Sequence, residues 1–435
     1  MNNEKWFCLK NSAPNLSSWP AGRFTPFQVE RLVEAARAGK ENPSYLSDLE
    51  GAGPIAELER AMARVSEVRH VLALSSCTAA IHAALLALGI GPGDEVIVSP
   101  YSWGQSVAPV LFTGATAVFS DIDPDTLCLD PASVQERLSP RTRAILPVHL
   151  FGHMSDMNAL TEIADANGLA VAADAAHAMG TTIAWQTGAQ CGYAACFSLG
   201  RGKLVSGGEG GLLATDDADL YERALSLTQH PTRIMRELGP GSKGVGSEDL
   251  GYNYRMHPLA AVLALADIEN LEQRLSHRRN VWAAFYEGLG DVPFLSPPVS
   301  QASEQWTAYG IPLTFKDKKN GAVSREELVA AAQQQGVPLR CGPVETPLHL
   351  RSAFQKSDDV AYCAHRIQPH TSHRPGACPV AEQRCSHEEL WALSALDMDG
   401  IGGEQAYELG RRLMMCCNVP GARSIKKAAW KGPLL

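Results

Sequence analysis

Residues 71–98 read VLALSSCTAAIHAALLALGIGPGDEVIV, and two structural patterns alternate within them. Residues 71–74 are apolar, and residues 78–88 follow a helical pattern that ends before Gly89, in a position where glycine usually closes a helix. Residues 95–98 form a second run, rich in β-branched side chains. A strand, a helix and a further strand in close succession predict a βα unit, from which parallel sheets are built.

The same alternation continues along the chain. Gly, Pro and Asp separate the runs, and residues 157–167 give another helical pattern that ends before Gly168. Predicted strands lie at residues 71–74, 95–98, 116–119, 144–148, 169–172, 194–197 and 211–214. We therefore predict an α/β fold with a mainly parallel sheet flanked by helices.

The pattern changes after residue 275, which predicts three parts of the chain. Residues 1–44 are expected to form an N-terminal helix and arm, residues 45–275 the large domain, and residues 276–435 a smaller C-terminal α+β domain. Helical patterns outside the large domain lie at residues 27–38, 325–335 and 405–415.

The bulk composition excludes several classes of partner. The 435 residues, 45% hydrophobic and 20% charged, suffice for two domains with a sizeable core. The net charge of −9 comes without a basic block, so we expect a small-molecule substrate and neither nucleic acid nor a membrane as partner. No signal-peptide pattern and no apolar run of membrane-spanning length occur, which predicts a soluble, cytoplasmic protein.

Eleven cysteines are scattered through the chain, several in apolar surroundings such as those of Cys196. This usage indicates reduced thiols and not a disulfide framework. One stretch is rich in possible metal ligands: Cys363, His365, His370, His373, Cys378 and Cys385. It lacks the paired close spacings of zinc sites, so we expect a surface loop and no metal there.

Lys203 is the first of four candidate site elements. It follows a predicted buried strand in residues 197–211, FSLGRGKLVSGGEGG, among residues too small to block a ligand. A lysine nucleophile needs such a setting, because partial desolvation keeps some of the amine neutral and able to form an imine. Taken alone, a lysine in a glycine-rich loop is usually a solvated surface residue.

Three further elements accompany this lysine. Asp174 ends a predicted strand, where a carboxylate can pair with a protonated pyridine nitrogen or simply cap the next helix. Residues 75–81, SSCTAAI, would offer free amides and the Thr78 hydroxyl to a phosphate, although Ser76 could merely cap a helix. Trp103 follows another strand and would bring an indole to the same sheet edge, although a lone tryptophan more often belongs to a core.

Together these elements resemble the DegT/DnrJ/EryC1/StrS family of sugar aminotransferases, pyridoxal-phosphate enzymes of fold type I in the aspartate aminotransferase superfamily. Their order and approximate spacing match from about residue 53 to residue 272. Further matching stretches lie at residues 88–98, 147–152 and 249–256, with weaker ones at 347–349 and 378–382. The resemblance implies a large cofactor-binding domain covered by a smaller C-terminal one.

The resemblance also implies catalytic roles for three residues. Lys203 would hold the cofactor as a Schiff base and, once released, move the proton between the substrate carbon and the cofactor C4′. Asp174 would pair with the pyridine nitrogen, and His177 would contact the phenolic oxygen of the cofactor or its surroundings.

Five other positions are assigned by the same resemblance. Trp103 would stack on the ring, and the amides of Cys77 and Thr78 with the hydroxyl of Ser198 would hold the phosphate. Asn253 would reach the phosphate of a neighbouring subunit, which implies a homodimer with shared active sites.

The chain departs from the family pattern in three places, one of which is residues 355–378, which match no part of that pattern. The family usually has Ser-Gly-Thr where this chain has Cys77 in the middle position. We expect the cofactor to bind nevertheless, because several other donors remain, and the Cys77 amide can still donate if its side chain points away. Residues 227–239, LTQHPTRIMRELG, are unlike those of typical nucleotide-sugar members and lie where substrate-facing loops occur, so they leave the acceptor open.

We predict ping-pong transamination. An amino acid, with glutamate or glutamine expected, would convert the pyridoxal form to the pyridoxamine form, which would aminate a cyclic ketone. Lys203 argues against the dehydrating relatives, in which histidine typically replaces it. The acceptor would be a nucleotide-linked keto-sugar or a free keto-cyclitol; four candidates could meet a diphosphate, namely Arg201, Arg233, Arg236 and Arg255.

Two other functions stay open. A lyase, a replacement enzyme or a cyclisation enzyme acting on an amino acid would also keep Lys203. A non-catalytic cofactor-binding regulator would keep the fold, but the sequence shows no helix-turn-helix segment or basic extension of the kind that DNA-binding regulators carry.

Overall fold

The computed structural model describes residues 26–46, 49–183, 186–187, 190, 192–239, 250–300, 304–316, 324–355, 361–362, 365–366 and 368–417. The strands of the large domain are β1 (His70–Leu74), β2 (Glu95–Val98), β3 (Thr116–Phe119), β4 (Thr142–Leu146), β5 (Ala170–Asp174), β6 (Thr182–Ile183), β7 (Gln186–Thr187), β8 (Ala194–Ser198) and β9 (Gly211–Thr215). Its helices, with one that precedes it, are α1 (Pro26–Glu41), α2 (Pro54–Ser66), α3 (Cys77–Ala87), α4 (Gly104–Phe112), α5 (Pro131–Arg137), α6 (Met157–Asn167), α7 (Ala218–Thr228), α8 (Pro231–Leu238) and α9 (Pro258–Ile268).

A seven-stranded sheet forms the centre of the large domain. Its strand order is β1-β9-β8-β5-β4-β2-β3, and within this sheet only β9 runs antiparallel to its neighbours. The strands are buried over most of their length, which explains why the sequence shows continuous apolar runs there and not alternating ones. All seven predicted strands are present, and the predicted mainly parallel sheet flanked by helices is confirmed.

The helix boundaries follow from local side chains. The Ser76 hydroxyl caps α3 by accepting a hydrogen bond from the Ala79 amide at 3.1 Å. Asp156 caps α6 in the same way, and Gly168 ends it in the left-handed conformation, with φ at 63°. The Ser76 and Asp156 caps define where α3 and α6 begin, and Gly168 defines where α6 ends.

The small domain is built from α10 (Leu271–Leu289), β10 (Leu295–Ser296), β11 (Glu304–Gln305), β12 (Ile311–Phe315), α11 (Arg325–Gln334), β13 (Arg340–Cys341), α12 (Ser352–Gln355), β14 (Ala361–Tyr362), β15 (His365–Arg366), α13 (Pro379–Gln383), β16 (Glu389–Leu393), α14 (Ala395–Asp399) and α15 (Gly403–Cys416). Its main sheet has the order β10-β12-β16-β13 and is antiparallel throughout. Helices α10 and α15 pack on this sheet, which gives the predicted α+β architecture.

Helix α10 joins the two domains. Leu271 and Leu275 pack in the core of the large domain, whereas Val281 and Phe285 pack in the core of the small domain. The predicted boundary after residue 275 therefore falls inside one continuous helix. At the other end of the large domain, α1 packs on α9, and residues 1–25 of the predicted arm lie outside the described part of the chain.

The prediction of a surface loop over the histidine- and cysteine-rich stretch is wrong for its later part. His373, Cys378 and Cys385 are buried, because residues 371–385 cover the outer edge of the sheet. The Phe119 amide on edge strand β3 donates to the Ser372 hydroxyl at 2.9 Å, and the His373 Nε2 lies 2.8 Å from the Ala117 carbonyl oxygen. An edge strand has unpaired backbone groups, and this segment satisfies them.

Two absences apply to the described residues only. Within the ranges given above, no group of three or more His, Cys, Asp or Glu side chains is arranged to hold a metal ion. Cys363 of the proposed ligand stretch lies outside those ranges. In the same part of the chain, no helix is both long enough and apolar enough to cross a membrane.

Candidate active site

A cavity of about 550 Å³ opens at the carboxyl ends of β1, β5 and β8. This is where open parallel sheets bind ligands, and the volume lies in the range of small-molecule sites. Seven of the eight predicted site residues line it: Cys77, Thr78, Trp103, Asp174, His177, Ser198 and Lys203. The fold thus brings together elements that are spread over more than a hundred residues of sequence.

Lys203 lies on the loop between β8 and β9, which is held by backbone hydrogen bonds. The Leu199 amide donates to the Gly210 carbonyl, and the Gly207 amide donates to the Leu199 carbonyl, both at 2.9 Å. A side chain at Gly207 would meet the Ala260 carbonyl oxygen at 2.7 Å, so glycine is required where the loop passes α9. Because both ends of the loop are fixed, the lysine side chain projects into the cavity from a defined point.

Asp174 is the last residue of β5 and is only 5% exposed. Its Oδ1 accepts a hydrogen bond from the Ala176 amide at 3.0 Å. The residues that follow form turns and no helix begins there, so the alternative of ordinary helix capping does not apply. A buried carboxylate at the floor of the cavity is suited to hold a positively charged ring nitrogen.

His177 packs against the aromatic ring of Tyr309. Its ring stacks on Tyr309, with centroids 3.8 Å apart, and lies nearly parallel to Phe151 at 6.4 Å. The Phe151 amide donates to its Nδ1 at 3.4 Å, which assigns the ring proton to Nε2. Burial lowers the pKa of His177 well below its ordinary value, and the charge of Lys203 lowers it further. The ring is therefore neutral and can donate from Nε2.

The start of α3 supplies backbone donors to the cavity. The first intrahelical bond runs from the Ala80 amide to the Ser76 carbonyl, so the Cys77 and Thr78 amides precede it. A Cβ on Gly211 would lie 2.3 Å from the Cys77 nitrogen, which shows how closely β9 approaches this turn. Ser76 does cap the helix, as the simpler interpretation held, but it leaves these two amides available for an anion.

The Cys77 side chain points toward the sheet. Its thiol donates to the Cys196 carbonyl at 3.4 Å and lies 3.9 Å from Asp174 Oδ1. Burial raises the pKa of the thiol well above its ordinary value, and the Asp174 charge adds to the shift. The thiol is protonated and directed at β5 and β8. The Cys77 side chain thus points away, which is the condition under which its amide can still bind a phosphate.

Trp103 and Ser198 complete the cavity from either side. Trp103 precedes α4 and is 61% exposed, so it is not part of a core. Ser198 ends β8, and its hydroxyl accepts a hydrogen bond from the Gly200 amide at 3.3 Å. Asn253 is the exception among the predicted residues, because it is exposed outside this cavity and accepts a hydrogen bond from Arg255 at 3.0 Å.

The relationship to known proteins agrees with this arrangement. The profile of the DegT/DnrJ/EryC1/StrS aminotransferase family matches residues 49–378. The chain belongs to this family.

Individual relatives support the same assignment. The spore coat polysaccharide biosynthesis protein SpsC of Bacillus subtilis (strain 168) is 34% identical over 335 residues, which cover 76% of this chain and 83% of the relative. GDP-perosamine synthase of Caulobacter vibrioides (strain ATCC 19089 / CIP 103742 / CB 15) is 38% identical over 305 residues, which cover 69% of this chain and 78% of the relative. The X-ray structure of DesV from S. venezuelae matches with a TM-score of 0.73 at 26% identity, over 92% of this chain and 100% of that one.

This family member is a pyridoxal-phosphate-dependent aminotransferase. The residues of the cavity fit that cofactor. The Lys203 amine, the buried Asp174 carboxylate and the amides at the start of α3 are the three kinds of group that its aldehyde, ring nitrogen and phosphate require.

The four arginine candidates for binding a diphosphate differ in their position relative to the cavity of this aminotransferase. Arg201 lines the cavity. Arg233 is 1% exposed and pairs with Glu59 and Glu237, in each case at 2.8 Å, so this candidate is excluded as a diphosphate ligand. Arg236 pairs with Glu237 and Arg255 contacts Asn253, the two lying outside the cavity. Within the described part of the chain, none of residues 227–239 lines the cavity of its own subunit.

Several lining residues were missing from the sequence-based prediction. They include Phe151 of the large domain and Tyr309, Pro343, Val344 and Trp391 of the small domain. Phe151 lies in a stretch that matches the family pattern, so a signal was present for it. The small-domain residues lie on unrelated turns and strands, and no local pattern marks them because their position depends on how the two domains pack.

Proposed function

We propose that this aminotransferase moves an amino group from glutamate or glutamine to a nucleotide-linked keto-sugar, with a free keto-cyclitol as the second acceptor class. The observation that carries the proposal is the meeting of Lys203, Asp174 and the α3 amides in one cavity. The identity of 38% with a protein named GDP-perosamine synthase favours the nucleotide-linked acceptor.

The residues divide the chemistry between them. Bound pyridoxal phosphate would supply the electron sink and carry the amino group between the two substrates. Lys203 Nζ would hold the cofactor and, when free, move the proton at the reacting carbon. Asp174 would keep the ring nitrogen protonated, and His177 would donate from Nε2 to the phenolic oxygen.

Binding would use separate groups. The Cys77 and Thr78 amides and the Ser198 hydroxyl would hold the phosphate, and the Trp103 indole would cover a ring face. Asn253 would serve the phosphate site of a second copy, and we therefore propose a homodimer. Its exposure outside its own cavity, beside the exposed side chains of Leu250 and Tyr252, supports this assembly.

The acceptor would enter from the side opposite the phosphate. Pro343, Val344 and Trp391 give an apolar wall for a sugar or cyclitol ring, and Arg201 is the cavity-lining candidate that could meet a diphosphate. Arg201→Ala should raise the half-saturating concentration of a nucleotide-linked acceptor by about tenfold, and should leave the donor half-reaction and any cyclitol acceptor unchanged. Arg236→Ala, a surface change, is the matched control.

The decisive experiment follows the absorbance of the purified protein with pyridoxal phosphate while single amino acids are added. Glutamate or glutamine should convert the spectrum of the lysine-bound cofactor to that of the amino form and release the keto acid. Lys203→Ala should show neither change. A GDP-linked keto-sugar and an inosose are then offered to the amino form, and the aminated product is identified by mass spectrometry.

The outcomes separate the competing chemistries. If no amino acid discharges the lysine-bound spectrum, transamination is rejected. A lasting spectral change without release of a keto acid would replace it by elimination, replacement or cyclisation on the amino acid.

A further inference from the structure

Tyr309 lies against the side chains of Lys203 and His177 although it belongs to the small domain. Its ring centroid is 4.5 Å from Lys203 Nζ, within the range of a cation–π contact. The same ring stacks on His177, with centroids 3.8 Å apart and an interplanar angle of 12°. One aromatic side chain therefore contacts the amine of the lysine and the plane of the histidine together.

The backbone that delivers this ring is held in an uncommon conformation. Ala308, directly before Tyr309, has a φ of 55°, and Phe151, opposite it, also has a φ of 55°. The Tyr309 amide donates to the Phe151 carbonyl at 2.9 Å, so the two segments are joined at this point. Non-glycine residues in this region persist only where the surroundings hold them, and such positions concentrate at functional sites.

A pair of threonines fixes the two segments. Thr307 is 1% exposed, and its amide donates to Thr181 Oγ1 at 3.1 Å, while the two hydroxyl oxygens lie 2.7 Å apart. The Thr307 Oγ1 also lies 2.8 Å from the Met179 carbonyl oxygen, and the Thr181 Oγ1 lies 2.7 Å from the Gly152 carbonyl oxygen, so the two hydroxyl protons serve two of these three short contacts at a time. This threonine pair ties the start of the small domain to the turns that carry His177 and Phe151.

We propose that Tyr309 is a positioning residue for transamination, with the threonine pair as its support. The inference rests on the proposed function. The ring holds the Lys203 amine beside the reacting carbon whenever the lysine is not attached to the cofactor, and it keeps the His177 ring in the plane from which Nε2 donates. The lysine needs such a guide, because its four-carbon stem would otherwise sample many rotamers.

The role assigned to Tyr309 belongs to its ring and not to its hydroxyl. Tyr309→Phe keeps the ring face and is the matched control, whereas Tyr309→Leu removes the face but retains an apolar side chain. Tyr309→Leu should slow the maximal rate of the donor half-reaction on the order of tenfold, the factor that corresponds to loss of a partly desolvated cation–π contact. The donor concentration for half-saturation should change much less, and Tyr309→Phe should stay close to the parent enzyme.

The threonine pair gives a second, independent test. Thr307→Val removes the hydroxyl bonds and should slow the same half-reaction by a smaller factor, whereas Thr307→Ser should restore it. Thermal unfolding of each variant shows whether the fold is intact. The visible circular dichroism of the bound cofactor reports how rigidly it is held, and this signal should weaken in Tyr309→Leu and persist in Tyr309→Phe.

Each result has a definite consequence. A Tyr309→Leu enzyme with the parent rate and the parent dichroism would overturn the inference, as would a Tyr309→Phe enzyme as slow as Tyr309→Leu, which would assign the role to the hydroxyl. If no amino acid discharges the parent enzyme, the proposed function fails. The inference is then decided by capture of added pyridoxal phosphate by the apoprotein, which Tyr309→Leu should slow and Tyr309→Phe should not.

Discussion

Two aspartates at the same side of one sheet differ in what covers their carboxylates. Asp174 ends β5 near the centre of the sheet, and Asp121 follows β3 at its edge; they are 5% and 7% exposed. Asp174 faces a cavity, whereas the Asp121 carboxylate accepts hydrogen bonds from the Val380 and Ala381 amides at 2.8 and 2.9 Å. At the edge of the sheet, residues 371–385 occupy the space beside the strand ends. At the centre of the sheet, the corresponding space is the open cavity.

A carboxylate at a strand end is open to a ligand where no other segment supplies its hydrogen-bond donors, and this distinguishes Asp174 from Asp121. At the edge, the start of α13 does so, with the charge placed at a helix N-terminus where it is favourable. At the centre, among the described residues, one amide, that of Ala176, bonds to Asp174 Oδ1.

Asp174→Asn should slow the donor half-reaction by about a hundredfold or more, because it removes the charge that we place beside the ring nitrogen. Stopped-flow absorbance with the favoured amino acid measures this rate. Folding should be preserved, since the Asn side chain can still accept from the Ala176 amide. A variant with the parent rate would show that Asp174 has no catalytic role, and Asp174 would then not differ from Asp121 in function.

His373, in the filled edge region, should make the protein sensitive to acid. Burial lowers its pKa to about 4, while in an unfolded chain the value is about 6.5. The unfolded state therefore takes up a proton first, and stability is complete above about pH 6.5 and falls by up to about 1.4 kcal/mol per pH unit down to about pH 4. His373→Gln should reduce the loss in unfolding free energy between pH 7 and pH 5, measured by denaturant titration, and leave the activity at pH 7 unchanged. An equal loss in both proteins would contradict this.

Asp121→Asn should affect stability and not catalysis. The amide offers one acceptor oxygen where the carboxylate offers two, so one of the α13 amides loses its partner at a cost of about 1–3 kcal/mol. Thermal unfolding and the donor half-reaction should be measured on the same preparation. A large loss of rate with unchanged stability would show that the edge region communicates with the cavity.

Cys77→Gly should have the smallest effect. The thiol is directed to the Cys196 carbonyl, and the amide that we assign to the phosphate is present in both proteins. The dissociation constant of pyridoxal phosphate should therefore change by no more than about threefold, since no donor is lost. Equilibrium dialysis of the two proteins measures it. Rapid loss of cofactor from the parent, repaired by the glycine, would show that the side chain does obstruct the phosphate.

The parts of the molecule that the sequence predicted are those with local causes. The strand runs, the Ser76 cap and the small residues around Lys203 each act within a few positions, and all were recognised. Arg233 stayed among the diphosphate candidates because its partner Glu59 lies 174 residues away, in a helix that no motif connects with it. The burial of residues 371–385 and the arrival of Tyr309 at the cavity depend on long-range packing in the same way.

The position of β9 also sets the order in which the site can assemble. Residues 70–74 of β1 pair with residues 211–215 of β9, and Gly211 is pressed against the turn that begins α3. The packing of β9 against the amides that we assign to the phosphate therefore requires the chain to close a loop of well over a hundred residues, a slow kind of contact in folding. During synthesis on the ribosome, the cofactor would have no complete site until β9 has emerged and inserted between β1 and β8.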